Sequence, residues 1–233
     1  MTASIVRNNS RALRYGILAC IIFVASTAAS GVASAAPIYT QVLSPDSLTL
    51  PSGNILGGLL PTASGGSYGT ANFGSSAPIG VLTDGVIGPL GCCTASDTFF
   101  VGDGGVNITI NLPTPSTISE IDTYTNWNYD RIAQFYTLLT STDGTNFTPL
   151  ITVNDPYSAE ANVLLGKVTG FSLSGVEAIR WSFDTTQAGE GFHGMAYSEL
   201  AAYSTSATPE PASLLLFGTG LLVVAGRLRR RKA

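Results

Sequence analysis

The densest group of side chains able to hold a ligand is Asn126-Trp127-Asn128-Tyr129-Asp130-Arg131. It sets two aromatic faces beside amides, a carboxylate and a guanidinium. Such a set stacks a ring on the apolar C–H face of a sugar while its polar groups hydrogen-bond the hydroxyls. Trp127, Tyr129 and Arg131 are two residues apart, so an extended segment would aim all three to one side. Trp127, Asn128, Tyr129, Asp130 and Arg131 are therefore the candidate ligand-binding residues. The competing reading makes Trp127 core and pairs Arg131 with a nearby acid. Catalysis finds less support. His193, the one histidine, stands in Gly191-Phe192-His193-Gly194 with no serine nucleophile motif around it. A glycosidase-type carboxylate pair could be drawn from acids such as Glu190 and Glu199, but scattered acids on a base-poor surface are normally solvated. No Walker loop, Rossmann fingerprint or zinc-type Cys/His spacing occurs. Cys92 and Cys93 are adjacent, and three states stay open to them: a vicinal disulfide, a pair with another molecule, or two reduced thiols.

These residues belong to a chain of 233, of which 11% are charged and 45% hydrophobic, with 26 glycines. The usual charged share is about 25%. A disordered chain lacks the apolar residues to bury and usually carries high net charge, so a folded domain is expected. The formal charge of −4 hides an asymmetry. Between residues 36 and 207 only Arg131, Lys167 and Arg180 stand against fourteen carboxylates, a net of −11. Such a region is repelled by phosphate backbones, which argues against nucleic-acid binding.

Most of the other bases mark the two ends. Arg7, Arg11 and Arg14 precede a short apolar run, Tyr15 to Val24, and Ala33-Ser34-Ala35 offers a small-residue cleavage site. Residues 1–35 read as a secretory signal peptide, the apolar run being short of the roughly 20 residues that cross a bilayer. At the other end Pro209-Glu210-Pro211 is followed by an apolar stretch to Gly226 and then Arg227-Leu228-Arg229-Arg230-Arg231-Lys232. Physically this is a short stop-transfer helix with a basic cap held on the cytoplasmic side. The prolines keep Glu210 extended and open to proteolysis. The whole closely resembles the PEP-CTERM sorting signal of exported bacterial proteins. That resemblance implies processing near Pro209, Glu210 and Pro211 by an exosortase-type membrane enzyme, with transient inner-membrane anchoring, in bacteria that make an extracellular polysaccharide. A plain single-pass anchor is the alternative.

The intervening residues have the length of one domain. Residues 51–91 are rich in Gly, Ser, Pro and Ala, which is loop chemistry. Val106 to Leu112 then alternates strictly, with Val106, Ile108, Ile110 and Leu112 on one face of a strand that Pro113 and Pro115 should end. Further strands are expected over Ile118–Trp127, Phe135–Ser141, Phe147–Val153, Ala161–Leu165, Lys167–Leu173, Ile179–Phe183 and Met195–Tyr203. Asp143-Gly144 is a hairpin signal. No sustained 3.6-residue apolar stripe appears. The fold class expected is all-β, an antiparallel jelly-roll β-sandwich flanked by the signal peptide and the hydrophobic sorting helix.

The order of motifs carries a second resemblance. Leu82-Thr83-Asp84-Gly85, the strand Val106 to Leu112, Ser141-Thr142-Asp143-Gly144-Thr145-Asn146-Phe147, Ala178-Ile179-Arg180-Trp181-Ser182-Phe183 and Tyr197 to Tyr203 follow one another as in the discoidin, or coagulation-factor type C, domain. Its relatives include galactose-binding-like carbohydrate modules. Gly88 to Asp97 departs from that pattern as an insertion. The resemblance implies a structural calcium where the early Asp-Gly loop meets the acid of the last strand, here Asp84 and Glu199 with backbone carbonyls near Val81 and Val86. Calcium takes six to eight oxygens of these kinds. Otherwise Asp84 only shapes its turn and Glu199 is a solvated strand residue.

The organisation expected is then a signal peptide (1–35), a Gly/Ser-rich start of the mature domain (36–77), a discoidin-like sandwich (78–204) and a sorting segment (205–233). The function expected is a non-catalytic module that attaches to extracellular polysaccharide. The alternatives are a structural or adhesive matrix protein without a defined sugar pocket and, more distantly, a glycoside hydrolase.

Overall fold

The computed structural model describes residues 36–44, 48–71, 74–75, 77–88, 98–102, 105–127, 132–156, 163–183, 188–189 and 192–204, with backbone alone for 70–71, 74–75, 188–189 and 192–193. The signal peptide, the sorting segment and Cys92 and Cys93 lie outside these residues.

The strands are β1 (Ile38–Ser44), β2 (Thr62–Ser64), β3 (Thr70–Ala71), β4 (Gly74–Ser75), β5 (Phe99–Val101), β6 (Asn107–Ile118), β7 (Glu120–Asn126), β8 (Gln134–Ser141), β9 (Thr148–Asp155), β10 (Val163–Thr169), β11 (Leu173–Phe183), β12 (Ala188–Gly189), β13 (Phe192–His193) and β14 (Met195–Tyr203). A short 3-10 turn spans Ile79–Thr83. Two five-stranded antiparallel sheets make the jelly-roll sandwich, one in the order β1-β10-β7-β14-β5 and the other β2-β6-β11-β8-β9. The alternation read in the sequence decides which side chains meet between them. Ile108, Ile110, Leu138, Ile179, Trp181 and Phe183 point inward from the second sheet and meet Ile121, Val168, Tyr197 and Leu200 of the first. β1 and β2 show that residues before 78 also belong to the sandwich.

Two expectations on strand limits need correction. β6 does not stop at Pro113 but runs on through Pro115 to Ile118. β2 pairs with β6 only at residues 107–109, and the pairing with β11 is irregular between Asn111 and Ile118. The prolines therefore fall where an edge and a bulge demand no regular ladder donor. Residues 161–173 do not form two strands separated at Gly166; β10 passes straight through that glycine. Gly166 is there because its face is crowded: a methyl on it would lie 2.9 Å from Tyr39 Cε2 and collide with Gln134 Oε1.

The Asp143-Gly144 hairpin is present between β8 and β9. Asp143 Oδ1 accepts from the Thr145 and Asn146 amides at 2.9 and 2.7 Å, and Gly144 takes φ +72°. Those bonds, with the Asn146 side-chain donor first among them, hold the Asp143 carboxyl well below its ordinary range.

Candidate functional site

The early Asp-Gly loop does meet the acid of the last strand. The cause is a β-bulge in β14: Tyr197 pairs with Thr125, and Glu199 already pairs with Tyr124. One extra residue reverses which side chains face in. Tyr197 and Leu200, three apart, both enter the core, while Glu199 turns to the opposite side of the sheet, under the loop that follows the 3-10 turn. There it is fully buried. Its Oε2 accepts from the Gly85 amide and its Oε1 from Asn54 Nδ2, each at 3.1 Å.

Asn54 holds this corner together and sequence reasoning missed it, because an asparagine in a Gly/Ser-rich stretch carries no distinguishing signal. Its Oδ1 accepts from the Leu56 and Ala202 amides at 3.0 and 3.1 Å. Those two donors fix which way the amide faces, so its NH2 must point at Glu199. Asp84 is exposed, and its Oδ1 accepts from the Val86 amide at 2.9 Å, the turn-shaping role weighed above. Val81 is buried within the 3-10 turn, whereas Val86 is 52% exposed.

Burial pushes the Glu199 carboxyl up to about 8, and the neighbouring Asp84 charge adds to it; the Gly85 and Asn54 donors pull the other way without prevailing. With two neutral donors and no cation among the described residues, this carboxyl is driven to keep its proton, and a cation beside it would favour the charged form. Asp84, Glu199 and the carbonyls near Val81 and Val86 are an all-oxygen donor set of the kind calcium takes. In donor chemistry they suit such an ion. A shallow cleft of about 320 Å³ lies alongside, lined by Leu48, Leu50, Val86 and Ile87.

The aromatic candidate fares differently. Trp127 is 5% exposed and packs edge-on against Phe100, with ring centroids 4.9 Å apart, in a cluster with Ile132, Leu164 and Ala196. Its ring is spent on packing, which corrects the expectation that it faces a ligand; an indole of that area gains more by burial than any exposed loop returns. Asn128, Tyr129, Asp130 and Arg131 lie outside the described residues. Asn126, just before them, donates through Nδ2 to the Ile87 and Gly88 carbonyls at 2.7 and 3.2 Å, so the end of β7 is tied to the Asp84–Gly88 loop. His193 falls in β13, described by its backbone alone, and Glu190, Pro209, Glu210 and Pro211 lie outside the described residues.

Residues 207–231 match the PEP-CTERM protein-sorting motif, so the chain carries the mark of an exported, sorted protein. No curated protein sequence matches the chain. Solved structures similar to it include chitosan-binding module 1 of a chitosanase/glucanase from Paenibacillus sp. IK-5 (19% identity, 65% of this chain and 98% of that one, TM-score 0.43). CpGH89CBM32-5 from Clostridium perfringens, in complex with GalNAc-β-1,3-galactose, is similar at 17% identity, 66% and 100% coverage and a TM-score of 0.48. The family 32 carbohydrate-binding module of Streptococcus pneumoniae EndoD is similar at 15% identity, 65% and 99% coverage and a TM-score of 0.44.

Proposed function

We propose that the mature domain is an exported, non-catalytic module that attaches to extracellular or cell-surface polysaccharide. The sorting segment would anchor its precursor in the inner membrane until an exosortase-type enzyme processes it. The observation that carries the reading is the Glu199 corner. A β-sandwich whose last strand bulges to bring a buried carboxylate against the Gly85 amide supports the reading, because the discoidin resemblance implies a meeting of that loop and that strand. The sorting motif supports export to the compartment where such polysaccharide lies. A glycan-array screen of the full-length chain, with and without calcium, tests the reading. Retention of defined glycans is the expected result. A folded protein silent across all of them would overturn it and leave the structural matrix role.

Calcium belongs to the same proposal. Asp84 and Glu199 would hold it with backbone oxygens near Val81 and Val86, and its charge would favour the ionised form of Glu199, which meets no cation among the described residues. An ion bound only by the folded state stabilises by mass action, about 2.7 kcal/mol at a hundredfold excess over its Kd. Chelation should therefore lower the Tm by several degrees, and Asp84→Ala should melt low and ignore added calcium. Superimposable melting curves for wild type in calcium and in chelator would remove the ion from the proposal.

A further inference from the structure

The outer face of the second sheet carries a row of short polar side chains that crosses all five strands in register. Ser64 pairs with Asn107, Asn107 with Ser182, Ser182 with Thr137 and Thr137 with Thr152. Their neighbours along each strand, such as Ile108, Trp181 and Leu138, are buried in the core, so this row faces out. At about 4.8 Å per strand it is roughly 19 Å long. The parallel row is Thr62, Thr109, Arg180 and Leu139.

Arg180 stands out in that setting. It is one of three basic residues between 36 and 207. Its Nε donates to Thr109 Oγ1 at 2.9 Å, and its guanidinium lies over the Phe147 ring, 3.6 Å from the centroid. It makes no ion pair among the described residues. Two contacts thus hold a half-buried cation in one orientation, and no carboxylate among the described residues takes up its charge. Neither row contains an acid. Of the acids on this sheet, Asp143 is engaged by its own loop, Glu177 lies toward Gly144 of that hairpin, and Asp155 is buried and accepts from the Tyr39 hydroxyl.

From this we propose that the outer face of β2-β6-β11-β8-β9 is a docking platform for a carboxylated, uronate-bearing polysaccharide. Arg180 would pair with a sugar carboxylate and the hydroxyl and amide row with sugar hydroxyls. The proposal rests on the polysaccharide-binding reading above but uses the second sheet, whereas Glu199 belongs to the first. Charge complementarity selects the occupant. The domain as a whole repels polyanions, yet at physiological ionic strength fields fade within about 8 Å. The local balance therefore governs contact, and here it is one oriented guanidinium with no carboxylate partner among the described residues. Guanidinium–carboxylate pairing is charge-assisted and directional. Short hydroxyl side chains on this face leave an extended chain room to lie across the strands.

The test is retention of the full-length chain in detergent on immobilised polygalacturonate and on immobilised neutral galactan. Wild type should be retained by polygalacturonate and released by high salt. Arg180→Ala and Thr137→Glu should each weaken retention about tenfold or more, the loss expected of a charge-assisted bond, and Arg180→Lys should fall between. Thr137→Glu adds a carboxylate to an outward position, so it carries the test even if Arg180→Ala lowers the Tm. Polygalacturonate retention unchanged in both variants, or retention by galactan alone, would overturn the platform and leave the module a polysaccharide binder. Retention by neither polymer, together with silence on the glycan array, would overturn both.

Discussion

Gly166→Ala is expected to cost the domain about 3 kcal/mol or more, a large share of the roughly 5–15 kcal/mol that holds a domain folded. The added methyl would occupy the space of Gln134 Oε1 and press on Tyr39 Cε2. Gln134 cannot yield cheaply. It is fully buried between the sheets, donates through Nε2 to the Thr123 and Leu164 carbonyls at 2.8 and 3.3 Å, and accepts from Tyr136 Oη at 3.1 Å. Moving it strands several buried polar groups at once, and each costs about 1–3 kcal/mol when left without a partner. Tyr39 is the other neighbour; its hydroxyl donates to Asp155 Oδ2 at 2.6 Å and ties β1 to the end of β9. Gly57→Ala is the control, since its methyl meets only the Asn54 carbonyl at 3.4 Å. Urea denaturation of both variants decides the matter. A Gly166→Ala midpoint equal to that of the control would refute the argument.

Asp122→Asn should do the reverse and raise stability at neutral pH. Asp122 is fully buried on the outer face of the first sheet, its Oδ2 3.5 Å from Lys167 Nζ and 3.3 Å from the Tyr124 hydroxyl. Its Oδ1 has no hydrogen-bond partner among the described residues. Burial pushes this carboxyl from 3.8 up to about 6, with the Glu120 charge adding to it, although Lys167 and Tyr124 pull it down. Lys167 gives its closest contact to Glu120 rather than to Asp122. A folded-state value above the unfolded one means that the folded protein holds the proton more tightly. Stability from this group is thus complete below about 4 and lost as the pH rises through about 6. The full penalty above that window is on the order of 3 kcal/mol, since the folded and unfolded values lie about two pH units apart and each is worth about 1.4 kcal/mol. Asparagine keeps the shape and removes the charge. Its Tm should exceed wild type by several degrees at pH 7.5, and the two should converge near pH 4. A variant that melts no higher than wild type at pH 7.5, or a gap of constant size across that range, would show that Lys167 already compensates Asp122.

Both arguments turn on buried polar groups, and these are the features the amino-acid pattern conceals. The alternation of Val106 to Leu112 and of Ile179 to Phe183 was legible because a two-residue period can bury only one face. The Asp143-Gly144 hairpin was legible because its turn chemistry is local. The sorting segment was legible for the same reason: proline, apolar run and basic tail each act through their own residues. By contrast, Thr123 and Gln134 look like surface residues in the sequence. Only the crossing of the sheets brings Trp181 Nε1 to Thr123 Oγ1 at 2.9 Å and Gln134 to carbonyls of β7 and β10.

The candidate site divides along the same line. The meeting of the Asp84-Gly85 loop with Glu199 was one of two readings open to the sequence, and it came through the discoidin resemblance rather than from any local pattern. Left to strand periodicity, however, Glu199 shares a face with Tyr197 and would enter the core. The bulge at Ser198 turns it over, and a bulge depends on how β14 pairs with β7, sixty and more residues away. Asn54 and Trp127 were decided in the same way. Nothing near Asn54 marks it as the donor to a buried carboxylate. Nothing near Trp127 says that Phe100 and Leu164 will enclose it. Hydrogen-bond satisfaction and ring packing are settled by whatever the fold sets opposite a side chain, and those partners come from strands far apart in the chain.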